Sequence, residues 1–340
     1  MRAVVVHGAR DLRVDELPDP VPAPGEVLVR MEWGGICGSD LAYWRHGRSG
    51  TATLRHPMVL GHEVAGRVVA LGAGVDSPAV GSAVTFQPAQ LVGDTPLPAR
   101  LAGRTNLHPH VRYFGSAAFD PHTDGGFSEL KAVRAEQVRV LPAGVSTQHA
   151  ALAEPLAVAM HAVGRVPVRG RSAVVNGCGP IGALVVAALK HAGAERVTAC
   201  DLSPDALAIA RAMGADDTVQ VGQDTMPEDA ELVFEASGAP AALAGVLRAA
   251  AKGGTVVQVG NLPGTPVEVT LGDLVSREIT WIGSYRFSDE IYDAVAALGA
   301  GLDVSPLVTH VFDLEDAERA MAAAAAPGSS KVLLRLAPAA

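Results

Sequence analysis

The segment from residue 172 to residue 215 constrains the fold more than any other part of this 340-residue sequence. It runs in the order strand, glycine-rich turn, helix, strand, loop, helix, as judged from its apolar, β-branched and alanine-rich stretches. The alternation continues with a strand at 232–235, a helix at 241–251 and a strand at 255–259. Strands that alternate with helices predict a parallel sheet with crossover helices.

The glycine-rich turn fits the pattern G-x-G-x-x-G over residues 177–182. The glycines permit a tight turn, close approach of a pyrophosphate and close helix–strand packing, and the helix N-terminus favours phosphate. Asp201 ends the next strand about 19 residues later, near the spacing of a carboxylate that binds ribose hydroxyls. No arginine follows at 202–206 to bind a 2′-phosphate, so the sequence predicts NAD rather than NADP. The alternative is a glycine-rich turn that binds no nucleotide.

The first 150 residues have a different texture. Short β-branched or alternating runs bounded by glycine and proline predict a compact, mostly β domain; these runs cover residues 3–6, 26–33, 64–71 and 83–86. An alanine-rich helical run at 150–163 opens the α/β part, and a helix at 315–325 and a strand at 331–336 close the chain. A chain of this length usually forms two domains.

Composition excludes several classes of function. A hydrophobic fraction of 49% argues against disorder, and a formal net charge of −9 argues against a general nucleic-acid binder. The apolar runs are shorter than a membrane span, and the amino terminus lacks the apolar core of a signal peptide. Three cysteines are too few for a disulfide framework. We therefore expect a cytoplasmic protein that binds neither membrane nor nucleic acid.

Two short segments of the β-rich half carry residue types that bind metals. GGICGSD at residues 34–40 supplies Cys37, and GHE at residues 61–63 supplies His62 and Glu63. Thiolate, imidazole and carboxylate are the ligands of zinc, and a catalytic zinc keeps one position open. Taken singly, a cysteine of this kind is more often part of a core, and a lone histidine is more often structural.

In combination with the glycine motif, GHEVAGRVVALGAGV at residues 61–75 resembles the zinc signature of the medium-chain alcohol dehydrogenase family. The resemblance covers essentially the whole chain. It implies a GroES-like β-barrel catalytic domain at 1–145, completed by 288–340, and a Rossmann domain with a doubly wound parallel sheet at 146–287. It also implies an active site in the cleft, a zinc- and NAD-dependent oxidation of an alcohol, and a homo-oligomer, either tetramer or dimer.

Position by position, the resemblance implies catalytic roles for five residues. Cys37 and His62 match zinc ligands, Glu63 matches a carboxylate on or beside zinc, and Glu154 matches a glutamate on zinc or on its water. The alternative for Glu154 is a carboxylate that complements a helix dipole. Ser39 matches the hydroxyl that begins the family's proton relay. The cofactor-binding residues are predicted to be Gly177, Gly179, Pro180, Ile181, Gly182, Asp201, Val259, Gly260, Tyr285 and Arg286.

Two departures from the family pattern lead to further expectations. Ala42 stands where related enzymes usually have the next relay histidine, so we expect the proton to leave through water, Tyr43 or Glu154. Residues 87–111 contain none of the four cysteines that bind a structural zinc in many relatives. One catalytic zinc and no structural zinc are therefore expected.

Longer motifs resemble the sorbitol and L-idonate dehydrogenases of the family, and residues 112–127 and 283–290 resemble the latter more. The resemblance implies oxidation of L-idonate to 5-keto-gluconate, with Tyr43, Phe114, Glu154, Arg286 and Phe287 lining the substrate pocket. A guanidinium can clamp a carboxylate, although Arg286 has an alternative role in holding the nicotinamide ribose or an interdomain contact. The alternative substrate is a neutral polyol such as sorbitol or xylitol. A zinc-free quinone reductase and a non-catalytic NAD-binding protein are the competing functions.

Overall fold

The computed structural model describes residues 1–337, which form two compact units. The first, called the β-rich unit, contains Met1–Glu154, Ala294–Gly301 and the chain from Val308 onward. The second, called the parallel-sheet unit, contains Pro155–Asp293 and Leu302–Leu307. The domain boundaries given by the family resemblance, 145/146 and 287/288, stay a prediction.

The β-rich unit begins with a series of short strands. They are β1 (Arg2–Gly8), β2 (Asp11–Glu16), β3 (Glu26–Gly35), β4 (Arg48–Ser49), β5 (Ala52–Thr53), β6 (Met58–Val59), β7 (Glu63–Leu71), β8 (Ala83–Phe86), β9 (Ala89–Leu91), β10 (Val111–Tyr113), β11 (Leu130–Arg134) and β12 (Val138–Val140). Helix α1 (Gly38–His46) lies between β3 and β4, and α2 (Thr147–Ala150) and α3 (Ala153–Val163) follow β12.

The parallel-sheet unit alternates strands with helices, as the sequence predicts. Its strands and helices are β13 (Ser172–Asn176), α4 (Pro180–His191), β14 (Arg196–Asp201), α5 (Pro204–Ala212), β15 (Asp217–Gln220), β16 (Ala230–Glu235), α6 (Leu243–Ala249), β17 (Ala250–Gln258), α7 (Gly272–Ser276) and β18 (Thr280–Gly283). The chain ends with α8 (Ile291–Gly299), β19 (Val308–Asp313), α9 (Ala317–Ala324) and β20 (Lys331–Arg335).

Each unit contains its own main sheet. The six strands of the parallel-sheet unit pair in the order β15-β14-β13-β16-β17-β18, the doubly wound order of a Rossmann fold. In the β-rich unit the order is β12-β8-β7-β3-β20-β19, with β11 also on β3. The last strand thus returns to pair with the third, and Leu333 lies opposite Gly35. This return brings β20 beside the segment that carries Cys37.

The predicted fold class is confirmed, with two local differences. The single helix predicted at 150–163 is divided: its first residue ends α2 at Ala150, and α3 occupies Ala153–Val163. The helix predicted at 241–251 ends at Ala249, and Ala250 already begins β17. Alanine favours helices, but Ala250 is fully buried and pairs with Ala230 of the sheet, so tertiary contacts override its local preference.

Candidate metal centre and dinucleotide site

A buried aspartate connects the two segments that carry the predicted metal ligands. Asp40 lies in the first turn of α1 and has no exposed surface. Its Oδ2 accepts a hydrogen bond from the backbone N–H of Cys37 at 2.9 Å, and its Oδ1 accepts one from that of Gly61 at 3.2 Å. Asp40 therefore fixes Cys37 relative to the residue that precedes His62. Sequence reasoning did not single out Asp40, although an acid at this helix position is a capping signal.

The structure brings the thiol of Cys37, the imidazole of His62 and the carboxylate of Glu63 together. One ligand atom from each lies within 4.8 Å of those of the others. Zinc bonds of about 2.0–2.3 Å would hold tetrahedral ligands roughly 3.3–3.8 Å apart, so only a small contraction is needed. His62 and Glu63 are buried, and Cys37 is partly exposed. The donor chemistry and the spacing both fit zinc.

Glu63 also has a cationic partner that the sequence did not reveal. Lys331, at the start of β20, donates to Oε1 of Glu63 at 2.8 Å, to Oε2 at 2.6 Å and to the carbonyl of Ile36 at 3.2 Å. Both side chains of this ion pair are almost inaccessible, with 3% of Lys331 and 1% of Glu63 exposed. A carboxylate that is hydrogen-bonded to a lysine still has lone pairs left for a metal, so Glu63 can pair with Lys331 and also bind or border a metal ion.

Glu154 lies close to the same group of side chains. It is buried near the start of α3, and its Oε1 accepts a 2.6 Å hydrogen bond from the hydroxyl of Tyr113. The Tyr113 ring also makes an edge contact with His62, with 5.7 Å between ring centroids. Tyr113 is therefore a residue of this site that sequence reasoning missed. The family resemblance named its neighbour Phe114 instead, and a role for Phe114 in lining the substrate pocket stays a prediction.

The charges of the site act on one another. Burial alone would lower the pKa of His62, but Cys37, Asp40 and Glu154 outweigh it and raise the pKa well above its ordinary value. Burial raises the pKa of Glu63 to about 6, helped by Glu154 and opposed by Lys331 and His62. A metal that bound His62 would displace the proton that this raised pKa favours.

Of the positions considered for proton transfer, Ser39, Ala42 and Tyr43 lie on α1, whereas Glu154 lies on α3. Ser39 and Ala42 are partly buried, and Tyr43 is buried with its hydroxyl accepting a hydrogen bond from the backbone N–H of Ala117 at 2.9 Å. The hydroxyl proton of Tyr43 is left for a further acceptor. Their roles in proton transfer stay a prediction.

The glycine-rich turn has the geometry that a dinucleotide needs. Gly177 has φ +88°, and a Cβ on Gly182 would come within 1.8 Å of the Gly177 carbonyl oxygen, so neither position accepts a larger residue. Gly179 is the N-cap of α4, with Pro180 and Ile181 in the first turn, and a Cβ there would meet no atom within 4 Å. This open helix N-terminus fits a pyrophosphate.

Asp201 supports the glycine-rich turn as well as ending β14. Its Oδ2 accepts a 2.6 Å hydrogen bond from the backbone N–H of Cys178, and its Oδ1 accepts one from Ser203 at 2.8 Å. Each oxygen keeps a further lone pair, so Asp201 can still accept hydrogen bonds from ribose hydroxyls.

Glu235 organises the neighbouring loops and was not predicted. This fully buried carboxylate at the end of β16 accepts hydrogen bonds from the backbone N–H groups of Ser237 and Gly238 at 2.8 and 3.1 Å, from the Ser237 hydroxyl, and from Gln258 of β17. Its backbone carbonyl accepts from the N–H groups of two predicted cofactor residues, Val259 and Gly260, both at 2.8 Å. Glu235 therefore ties together the ends of two adjacent strands at the carboxyl edge of the sheet.

The remaining predicted residues follow β18. Tyr285 is about half exposed, and the Arg286 guanidinium stacks on its ring at 5.0 Å. Arg286 has φ +51°, a left-handed conformation that is uncommon for a non-glycine residue, and Phe287 is buried. Glu290 holds the end of this segment through a 2.6 Å contact with His161 of α3. Binding by these residues stays a prediction.

The fold and the buried thiol–imidazole–carboxylate group define a zinc-type dehydrogenase. Residues 23–143 match the model of the alcohol dehydrogenase GroES-like domain, and residues 180–300 match that of the zinc-binding dehydrogenase domain. The chain belongs to the zinc-containing medium-chain alcohol dehydrogenase family, and within it to the zinc-type polyol and sugar-acid dehydrogenases.

Individual relatives match over most of the chain. Sorbitol dehydrogenase of Gallus gallus is 36% identical over 99% of this chain and 96% of its own. L-idonate 5-dehydrogenase (NAD(P)(+)) of Escherichia coli is 36% identical over 87% of each chain. The crystal structure of the E. coli L-idonate 5-dehydrogenase superposes with a TM-score of 0.92 at 34% identity, over 98% of this chain and 97% of that one. A zinc-binding dehydrogenase from Sinorhizobium meliloti, bound to NADP, superposes with a TM-score of 0.87 at 30% identity over 98% of each chain.

Within residues 1–337, no helix is both long enough and apolar enough to cross a membrane.

Proposed function

We propose that this protein is a zinc-dependent, NAD-linked dehydrogenase that oxidises a secondary alcohol of L-idonate to give 5-keto-gluconate. The observation that carries the reaction type is the buried group of Cys37, His62 and Glu63, with ligand atoms within 4.8 Å of one another and Glu154 nearby. A non-catalytic NAD-binding protein would have no physical need for such a group.

Each residue of the metal centre would have its own role. Cys37 and His62 would hold the metal, Glu63 would complete or border its coordination, and Lys331 would hold Glu63 in place. When bound, zinc lowers the pKa of a substrate hydroxyl, and NAD accepts the hydride. Glu154 would receive the hydroxyl proton directly or through water, and its hydrogen bond from Tyr113 supports this role by fixing its orientation.

The choice of a sugar acid rests on two supports. One is the TM-score of 0.92 with E. coli L-idonate 5-dehydrogenase. The other is Arg286, whose guanidinium is suited to a carboxylate. The similarity to sorbitol dehydrogenase over 99% of this chain favours a second candidate, a neutral polyol such as sorbitol or xylitol.

We propose NAD as the preferred cofactor because Asp201 places a carboxylate at the end of β14, where a 2′-phosphate would be repelled. The Sinorhizobium meliloti relative binds NADP, and the name of the E. coli relative includes both NAD and NADP. The cofactor preference of this protein is therefore worth measuring. A single catalytic zinc, a homo-oligomer and a cytoplasmic location complete the proposal.

The test is a comparison of catalytic efficiencies on purified, zinc-loaded protein. L-idonate, D-gluconate, sorbitol and xylitol are offered side by side with NAD and with NADP, and formation of the reduced cofactor is followed by absorbance. We expect L-idonate with NAD to exceed every other pair by at least tenfold, or about 1.4 kcal/mol of transition-state stabilisation. A preference for sorbitol or xylitol would replace the substrate while keeping the reaction type.

Variants separate substrate recognition from the chemistry. Arg286→Met should raise KM for L-idonate at least tenfold with little effect on sorbitol, and Arg248→Met, an exposed change in the same unit, should alter neither. Cys37→Ser should abolish zinc binding and activity together. A Cys37→Ser protein that still oxidises L-idonate would refute the proposed reaction.

A further inference from the structure

The β-rich unit contains a polar cavity that the proposed reaction does not use. Its volume is about 520 Å³, within the range of pockets that hold small molecules. The residues that define its chemistry are Glu26, Gln90, Arg112, Phe114, Asp124 and Lys131. They come from β3, β9, β10, β11 and the loop before β11, so the cavity lies in a region held by several strands.

Strand β10 separates this cavity from the metal centre. Arg112 and its cross-strand partner Gln90 both line the cavity, and Phe114 lines it two residues later. Tyr113, between Arg112 and Phe114, bonds instead to Glu154. Because side chains alternate across a strand, the cavity and the metal centre lie on opposite faces of β10. A ligand in the cavity would therefore not occupy the catalytic position.

Arg112 offers the cavity an unused hydrogen-bonding edge. Its Nη1 donates to the carbonyl of Pro121 at 2.9 Å and to the hydroxyl of Thr123 at 3.3 Å, and its guanidinium lies over the ring of Phe119 at 4.8 Å. Among residues 1–337, no acceptor is bonded to Nε or Nη2. These two groups form the parallel fork that binds a carboxylate, as in the pair that Arg13 makes with Asp11.

Lys131 adds positive charge to the wall of the cavity. Its ammonium donates to the carbonyls of Asp124 and Gly125 at 2.8 and 2.9 Å and lies 4.6 Å from the centre of the Phe114 ring. These contacts fix its position without neutralising it, since its partners are neutral groups. Burial lowers the pKa of Lys131 to about 8, opposed by Asp124 and Glu26.

The two acids of the cavity each have an oxygen available to a ligand. Oδ1 of Asp124 accepts from the backbone N–H of Val59 at 2.9 Å, and Oε2 of Glu26 accepts from that of Ala23 at 3.0 Å. No hydrogen bond within residues 1–337 involves the other oxygen of either group. Carboxylate oxygens in this state accept hydrogen bonds from hydroxyl groups.

The charges of the remaining lining residues limit the ligand further. Arg134 brings the cations to three, and it is paired at 2.8 Å with Glu136 outside the cavity. His122 is engaged by the Arg55 backbone N–H, which donates a hydrogen bond to its Nε2 at 2.9 Å. Because Glu136 already balances Arg134, the cations Arg112 and Lys131 face two acids in the cavity, and this small net charge suits a monoanion better than a multiply charged phosphate.

We propose that this cavity is a second binding site, for a small carboxylic acid that carries several hydroxyl groups. The ligand carboxylate binds the Nε–Nη2 edge of Arg112, near the ammonium of Lys131. Its hydroxyl groups donate to Asp124 and Glu26. This site takes its ligand class from its own side chains and does not depend on the substrate proposed for the metal centre.

The first test counts binding sites by titration calorimetry of D-gluconate into zinc-loaded, full-length protein. The three proteins compared are the parent, Arg112→Met and Arg100→Met, the last being an exposed arginine outside the cavity. Arg112→Met should have one site per chain fewer than the parent, or a site weakened at least tenfold, and Arg100→Met should match the parent. Equal binding by all three proteins would overturn the proposal. Because the readout is the difference between variants, it stands even if D-gluconate does not bind the metal centre.

A second test reads occupancy inside the cavity. Lys131 is acetylated at pH 8 by a limiting reagent, and mass spectrometry compares its labelling with that of exposed Lys252. D-gluconate should protect Lys131 and not Lys252, and sorbitol should need at least a tenfold higher concentration because it lacks the carboxylate. Protection by inorganic phosphate as strong as that by D-gluconate would overturn the ligand class, and protection that persists in Arg112→Met would overturn the site.

Discussion

The buried pair of Lys331 and Glu63 gives a sharp test of the energetics behind the metal centre. Lys331→Met keeps the length of the side chain and removes its charge, which leaves the Glu63 carboxylate 1% exposed and without its cation. Breaking a buried ion pair on one side costs about 3–5 kcal/mol. In a domain of this size, 1 kcal/mol corresponds to about 2–4 °C in Tm. The unfolding transition of the β-rich unit should therefore fall by about 6 °C or more.

The loss of stability in Lys331→Met should increase as the pH rises. Burial raises the pKa of Glu63 to about 6 even while Lys331 opposes it, so removal of Lys331 raises that pKa further. An acid whose folded pKa exceeds its unfolded pKa adds stability at low pH, and this contribution is lost as the pH rises through the folded value. Lys331→Met should therefore be close to the parent at pH 5 and clearly less stable at pH 8.

The assay is thermal and urea unfolding of metal-free protein in a chelator, at pH 5 and pH 8, followed by circular dichroism. The double variant Lys331→Met/Glu63→Gln, in which the acid is also neutral, should recover about 2 kcal/mol at pH 8 and lose the added pH dependence. Lys252→Met, at an exposed position, should change stability by less than about 0.5 kcal/mol. A loss below about 1 kcal/mol in Lys331→Met at pH 8, or a pH profile parallel to that of the parent, would refute the reasoning.

Three further predictions concern residues that position the two sites. Glu235→Gln should raise the Kd of NADH about tenfold, since one carboxylate oxygen becomes a donor facing other donors, while the Kd of ADP-ribose should change much less. NADH fluorescence measures the first directly and the second by displacement of NADH, and equal losses would contradict a local role. Tyr113→Phe removes a buried 2.6 Å hydrogen bond to Glu154. The value of kcat should fall about tenfold and its pH profile should shift, with little change in KM, whereas an unchanged pH profile would exclude Tyr113 from the proton path. Asp40→Asn places an amide N–H against the backbone N–H of Cys37 or Gly61, so the affinity for zinc should fall about 10–100-fold. A chelator competition measures this affinity, and an unaltered value would show that Asp40 does not position Cys37.

Much of the parallel-sheet unit could be predicted because its signals are local. The glycines at 177, 179 and 182 are required by a turn only a few residues long, and Asp201 follows from the length of one helix and one strand. Similar local patterns placed β8 of the β-rich unit at its observed bounds, residues 83–86. They failed at Ala250, where a helix-favouring residue is drawn into a strand by pairing with Ala230.

The sequence also named Cys37, His62 and Glu63, through a family pattern rather than through any local rule, and the structure brings these three together. It did not name Asp40, Tyr113 or Lys331, which hold the group in place. Each of these acts through a pairing that no periodicity encodes, and Lys331 is 268 residues from Glu63. A lysine directly before the apolar run Val332–Leu334 was the available signal, since a buried lysine requires an acid.

The sequence by itself determined the α/β architecture, the glycine-rich dinucleotide turn and the chemical types of the metal ligands, because these depend on backbone conformations and side-chain identities along short stretches. Tertiary structure alone decided that Tyr113 of β10 meets Glu154, which cation meets Glu63, and that Arg112, Lys131, Glu26 and Asp124 border one cavity. The physical reason is that burial sets the strength of a charge–charge or hydrogen-bonding contact, and burial is a property of the folded chain rather than of any segment.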